Sequence, residues 1–349
     1  MKKKRTAALF TSVVILISMT SCNKGESKGA SSSNTTLSST SHSNSDSTSS
    51  GSGVAKNKTS ELTNYMTEKE RSSISEGKLT LIKNESNWGF DADEVTKIKD
   101  SVKEISVYDE ELDTTFIIHV TLPPDFDKLK TYPMFVMTDG VWRFGDHPAL
   151  RKMMQDGEAE DVILVSIGYD YSIDGTDNGI RSRYFCEGEE YFLDFITDNL
   201  MPYLDEEYKI DFERSTLYGH SLGGTFTHYA VFNSDKYENQ PFYYYIIGSP
   251  AFWSPIFYDT DTYKSMYGYF DRNDKLNKFV YVAGGENEDA DYAQYYDDDN
   301  STLQGISALM KRLEDHNVKS AESKIYEGSN HYEYIPEMFR TFFLEFYNK

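Results

Sequence analysis

Cysteine is nearly absent: the 349 residues hold two, Cys22 and Cys186. A folded part of this size must then be held by its apolar core rather than by cross-links. Basic residues are scarce as well, 35 against 57 acidic, which leaves a formal net charge of -22. A surface of that sign repels phosphate backbones and anionic headgroups, which excludes nucleic acid as a partner. Long apolar runs are also missing, since the one extended run, residues 7–17, is too short to cross a bilayer. From residue 23 to about residue 60 there is almost no large apolar side chain. A stretch of Ser, Thr, Asn and Gly cannot offset its ordering entropy by burial and reads as a flexible tether. No repeat period is visible anywhere.

What is present begins with a basic start, Lys2 to Arg5, then the short apolar run, then small residues directly before Cys22. This stretch resembles a bacterial lipoprotein signal. The resemblance implies that Cys22 is the lipidated first residue of an extracytoplasmic protein touching the membrane only through its lipid. The expected division is a signal over 1–22, a tether over 23–75 and one globular domain over 76–349.

Within that domain, short β-branched and aromatic runs alternate with segments of helical period, the pattern of a largely parallel sheet with helices on both faces. Residues 104–108 and 115–121 read as an opening antiparallel pair. Further strands are expected at 134–138, 162–167, 216–218, 243–247, 279–283 and 323–326, about eight in all. Phe192, Phe195, Ile196, Leu200 and Leu204 recur at helical spacing. So do Leu303, Ile306, Leu309, Met310 and Leu313, and then Met338, Phe339, Phe342, Phe343 and Phe346, in a closing helix that can begin at Pro336.

The chemistry is concentrated at Gly219-His220-Ser221-Leu222-Gly223-Gly224. This is a G-x-S-x-G pattern between an expected strand and an expected helix, the context of a nucleophile elbow in the α/β-hydrolase fold. A serine hydroxyl needs a base to take its proton and a carboxylate to orient that base. In this fold the order is serine, then acid, then histidine. After Ser221 the histidines are His228, His316 and His331. His228 lies seven residues into the following helix and points away, and His316 closes a surface helix. His331 follows the last strand and is the expected base.

The acid is expected beyond the strand at 279–283, where the chain reads Gly284-Gly285-Glu286-Asn287-Glu288-Asp289. Placing it three residues past Gly285 selects Glu288, with Glu286 second and Asp289 third. The oxyanion needs two backbone N–H donors, one following the nucleophile and one from the loop after the third strand. These are Leu222 and Val141, with Gly140 as the alternative to Val141.

At this point the sequence resembles a known family. Asp139-Gly140, Arg181-Ser182-Arg183, the helix from Phe192 to Ile196, the elbow and Gly248-Ser249-Pro250-Ala251-Phe252-Trp253 are the segments that carry it. They are similar to the esterase family that holds enterobactin, feruloyl and acetylxylan esterases, esterase D and the mycolyltransferases. The resemblance implies a Ser221–Glu288–His331 triad, no metal, no organic cofactor, and a small-molecule or polysaccharide ester as substrate. Transfer of the acyl group to a sugar, or a silent binding role, are the rival readings. Arg143, Arg181 and Arg183 stand out in so acidic a chain and are candidates to contact substrate, or else to pair with local acids. Trp142 and Trp253, with Phe252, are candidates to line the substrate pocket, or else core. Asp297-Asp298-Asp299-Asn300 offers hard oxygen ligands for calcium, although a solvated loop is the simpler expectation.

Overall fold

The computed structural model describes residues 62–80, 89–169, 181–254, 261–291, 293–296 and 301–348. Cys22, most of the expected tether and the Asp297–Asn300 run lie outside the described residues.

Nine strands form one sheet in the order β1-β2-β3-β5-β4-β6-β7-β8-β9. They are β1 Ser75–Lys78, β2 Val102–Asp109, β3 Thr114–Thr121, β4 Met134–Met137, β5 Ile163–Tyr169, β6 Thr216–His220, β7 Tyr244–Gly248, β8 Phe279–Gly285 and β9 Ala321–Tyr326. The pairs β1–β2, β2–β3 and β3–β5 are antiparallel, and every pair from β5 onward is parallel. The eight expected strands are present, and β1 is the addition. It escapes a reading of apolar pattern because Ser-Glu-Gly-Lys is exposed along its whole length.

The inner parallel strands alternate between two cores. In β4, Met134 and Val136 face one layer, and Phe135 and Met137 face the other. In β8, Val280 and Val282 face the first, while Tyr281 and Ala283 face the second. Sheets buried on both sides lose the polar half of the alternation, which is why these strands read as continuous apolar runs. The first layer is closed by the helical run 189–208 and by the helices Leu222–Asn233 and Thr302–Asp315. The second is closed by His147–Gln155 and Ile335–Phe346.

Phe135 shows what this second layer contributes. Its ring is fully buried among Phe339, Phe342, Phe343 and Tyr347. Truncating such a side chain typically costs about 3–5 kcal/mol. The closing helix enters through Pro336 in its first turn, where a missing N–H costs no intrahelical bond.

Folded structure begins earlier than the expected boundary at 76. A helix at Glu68–Ser73 is fixed by a capping box between Thr67 and Glu70. Upstream of it, Thr63 N–H donates to Asn239 Oδ1 at 2.9 Å and Tyr65 N–H to the Asp198 carbonyl at 2.9 Å. Residues from Thr63 onward, expected as tether, are therefore part of the fold, because their backbone groups find hydrogen-bond partners that composition does not reveal. A second upstream segment reaches further. Gly89 N–H donates to the Val141 carbonyl at 3.1 Å, and Phe90 packs edge-on against Phe144.

Candidate active site

The C-terminal ends of β4, β6, β8 and β9 lie on one edge of the sheet because these strands run parallel. That edge is where open α/β sheets gather their reactive loops.

Ser221 sits between β6 and the helix Leu222–Asn233 with φ 59° and ψ -117°. A non-glycine residue with positive φ stores about 1–3 kcal/mol of backbone strain. The surrounding structure holds it there: Ser221 N–H donates to the Gly248 carbonyl at 2.9 Å, and its own carbonyl accepts from Thr225 and Ala251. Gly219 is required by close approach, since a Cβ there would collide with the Gly223 carbonyl.

His331 lies on the loop after β9 and is 2 % exposed. Its Nδ1 is 2.9 Å from Glu288 Oε2. A carboxylate only accepts, so Nδ1 donates to it, which in the neutral imidazole leaves the lone pair on Nε2. The other oxygen, Glu288 Oε1, accepts from Gly285 N–H at 2.6 Å and from Ser249 Oγ at 2.8 Å. Ser249 Oγ in turn accepts from the Tyr334 hydroxyl at 2.7 Å. Glu288 is thus fully buried and held by three donors.

The rival carboxylates are engaged elsewhere. Glu286 is exposed and accepts from Gly328 N–H at 2.8 Å, and Asp289 accepts from Leu303 N–H at 3.2 Å.

His220 joins the elbow to the histidine loop. Its Nε2 donates to the His331 carbonyl at 2.8 Å, and the two rings are 4.4 Å apart. Burial first, then the neighbouring His331 and Arg143, hold its pKa well below the ordinary histidine range. His220 is therefore neutral, and its bond to a carbonyl fixes the proton on Nε2. His228 is buried among Phe232, Phe252, Tyr263 and Tyr267. His316 stacks on Phe270.

Leu222 and Val141 each lie in the first turn of a helix, Leu222–Asn233 and Gly140–Arg143. N–H groups in a first turn have no intrahelical acceptor. Gly140 precedes Val141 on the same turn, with Asp139 as its N-cap in the left-handed region at φ 56°.

Of the two expectations for the arginines, contact with substrate or pairing with local acids, Arg143 and Arg181 follow the second. Arg181 is 8 % exposed and grips Asp139 through Nε and Nη2 at 2.7 and 3.0 Å. Arg143 pairs with Asp146 at 3.1 Å. Arg183 is exposed, but donates to Thr114 and to the Tyr184 hydroxyl. Excess acid in the chain gives Arg143 and Arg181 a local partner, whereas Arg183 bonds to hydroxyls. Trp142 is half-buried with the Arg181 guanidinium 5.2 Å from its ring. Phe252 and Trp253 are buried, and a Cβ on Gly305 of the helix Thr302–Asp315 would press on the Phe252 ring.

Sequence reasoning missed Ser249, Tyr334, His220 and Asp139 as members of this site. Ser249 had one usable signal, its place directly after the strand adjoining the elbow strand. Among the described residues no group of three or more His, Cys, Asp or Glu side chains is arranged to hold a metal ion.

The chain is 28% identical over 152 residues to the ferri-bacillibactin esterase BesA of Bacillus subtilis, covering 43% of this chain and 48% of that one. It is 29% identical over 157 residues to the siderophore triacetylfusarinine C esterase of Aspergillus fumigatus, covering 40% and 52%. The chain thus spans about half the length of the curated relatives it matches. The solved structure of the BES protein from Bacillus cereus superposes with a TM-score of 0.58 at 21% identity, over 71% of this chain and 96% of that one, which shows a shared fold. Residues 110–345 match the family described as "Putative esterase", so the chain belongs to that esterase family.

Proposed function

We propose that this protein is a serine carboxylic-ester hydrolase working through an acyl-enzyme, with Ser221 as nucleophile, His331 as base and Glu288 as orienting acid. The observation that carries the reading is the buried Glu288–His331 hydrogen bond at 2.9 Å, on the loop that His220 ties to the strained Ser221 turn. With Nδ1 occupied, His331 Nε2 takes the Ser221 proton as Oγ bonds to the ester carbonyl carbon. The carbonyl electrons move onto oxygen, which the Leu222 and Val141 N–H groups stabilise. His331 returns the proton to the leaving alcohol as the C–O bond breaks. Water then attacks the acyl-enzyme with His331 as base again, releasing the acid and restoring Ser221.

For substrate we propose a siderophore-type ester, supported by the names of the two curated relatives. The chain's own arginines add little to this choice, since Arg143 and Arg181 are neutralised by Asp146 and Asp139. The location we propose is outside the cell membrane with Cys22 as a lipid anchor, supported by the basic and apolar segments before that residue.

Ser221→Ala is the direct test. It is expected to remain folded and to lose at least about 10⁴-fold in kcat on a p-nitrophenyl ester. Retained turnover would remove Ser221 as nucleophile. Turnover of a catecholate trilactone ahead of acetyl-sugar and feruloyl esters is expected, and the reverse order would overturn the substrate assignment.

A further inference from the structure

We propose that Arg181 is a positioning residue for the oxyanion site, a clamp that ties the turn carrying Val141 to the turn carrying Leu222. The proposal rests on the reading of Ser221 as the nucleophile.

The two donors of an oxyanion site are backbone groups, so no side chain of their own can aim them. Their placement depends on the turns that present them. Asp139 immediately precedes Gly140 and Val141, and His220 immediately precedes Ser221 and Leu222. The strands that end in these turns are neighbours, with Met137 opposite Tyr218. One guanidinium touches both turns: Arg181 forks onto the Asp139 carboxylate at 2.7 and 3.0 Å, and Nη2 also reaches the His220 carbonyl at 3.3 Å.

The setting is rigid. Asp139 is 6 % exposed and holds a left-handed backbone, φ 56° and ψ 48°. Trp142 and Phe185 lie against the guanidinium, with their ring centres 5.2 and 5.7 Å away. Burial opposes the charge on Arg181, but Asp139 outweighs it and holds the group above its ordinary pKa. A planar fork meets both carboxylate oxygens with parallel N–H bonds from two nitrogens while a third N–H reaches the carbonyl, a geometry that a single ammonium does not reproduce. Because the pair is neutral as a unit, it has little charge to offer a substrate. Its effect lies in where the donors point, and an error of about 1 Å in such a site costs about a hundredfold.

The test uses the full chain and the variants Arg181→Gln, Arg181→Lys and Arg181→Gln/Asp139→Asn, with a p-nitrophenyl ester. Inhibition is measured with the matched trifluoromethyl ketone, which forms a tetrahedral oxyanion on a reactive serine, and with the product acid. In Arg181→Gln, kcat is expected to fall about a hundredfold while KM moves less than about threefold. Ketone affinity should weaken by the same factor as kcat/KM, and product-acid affinity should hold. Arg181→Lys should recover part of the loss, and the double variant should be no worse than Arg181→Gln because the two residues act as one unit. If Arg181→Gln does not fold, Arg181→Lys carries the same comparison of ketone affinity with kcat/KM.

A rise in KM at unchanged kcat would make Arg181 a substrate contact and overturn the proposal. So would unchanged kinetics, or ketone affinity that fails to follow kcat/KM. Labelling of the wild-type chain at Ser221 by a fluorophosphonate separates the two failures. An unlabelled wild type removes the nucleophile, whereas a labelled wild type beside unaffected Arg181 variants removes only the clamp.

Discussion

Ser249 Oγ lies 2.8 Å from Glu288 Oε1, across the carboxylate from the oxygen that meets His331. The residue that opens the turn after β7 thus holds the carboxylate that hydrogen-bonds His331. Ser249 itself carries φ 37°, a strained backbone held by its N–H bond to the Ala283 carbonyl at 2.7 Å and by the side-chain bond to Glu288. Removing Ser249 Oγ takes one of three donors from a buried carboxylate and leaves the Tyr334 hydroxyl without its acceptor. Ser249→Ala is expected to lower kcat about tenfold and stability by about 1–3 kcal/mol. Tyr334→Phe should cost less on both counts, because Glu288 keeps its direct donors. Steady-state kinetics and urea unfolding of the two variants check the ordering.

The acid loop offers a sharper comparison. Glu288→Gln can present an N–H to His331 and so reverse the direction of that bond, which spoils the tautomer. A loss of about 10³–10⁴-fold in kcat is expected if Glu288 has the proposed role, as when the orienting acid of a Ser-His-Asp triad is replaced by its amide. Glu286→Gln and Asp289→Asn should each stay within about threefold of the wild-type rate, because their partners are backbone N–H groups outside the histidine contact. Equal losses in all three variants would contradict the placement of Glu288.

Gly89 is the point where chain upstream of residue 110 meets the site. Its N–H bonds the Val141 carbonyl at 3.1 Å, and any Cβ there would strike the Trp142 indole. Gly89→Val should displace Trp142 from the Arg181 guanidinium and lower kcat/KM on an aryl ester about tenfold or more. Tryptophan fluorescence should change in parallel. Full activity with unchanged emission would show that this segment is no part of the site.

Stability should carry one signature of a buried acid. Asp109 is 3 % exposed, and burial pushes its carboxyl up to about 6, with Glu70 and Glu111 adding to the shift against the Leu112 N–H bond. The unfolded value is about 3.9. The folded chain therefore binds this proton more tightly, so its stabilising contribution is complete below about pH 4 and is lost as pH rises through about 6. Asp109→Asn keeps an oxygen for the Leu112 N–H, now 2.7 Å away, and cannot ionise. The variant should melt a few degrees higher than wild type at neutral pH, and the difference should vanish near pH 4. Melting curves across that range decide it.

Much of this architecture was legible in the chain because burial writes itself into composition. β4 and β8 are apolar on both faces, and the closing helix repeats Phe at 339, 342, 343 and 346, so strand and helix periods could be read directly. The elbow was legible for a steric reason: Gly219 and Gly223 stand where a side chain has no room. β1 and the helix Glu68–Ser73 were not, since their residues are held by pairing and capping rather than by apolar contacts.

The sequence by itself determined which residues could react: a serine in a tight strand-to-helix turn, a histidine after the last strand, and three carboxylates on one loop. Local pattern suffices for these because turn geometry and side-chain chemistry are short-range properties. Only the tertiary structure decided which carboxylate meets His331, that Ser249 and Tyr334 brace it, and that Arg181 is committed to Asp139. Those outcomes depend on distances between chain segments separated by 39 to 85 residues. No periodicity encodes such distances, because they arise only when the sheet brings the ends of its strands to one edge.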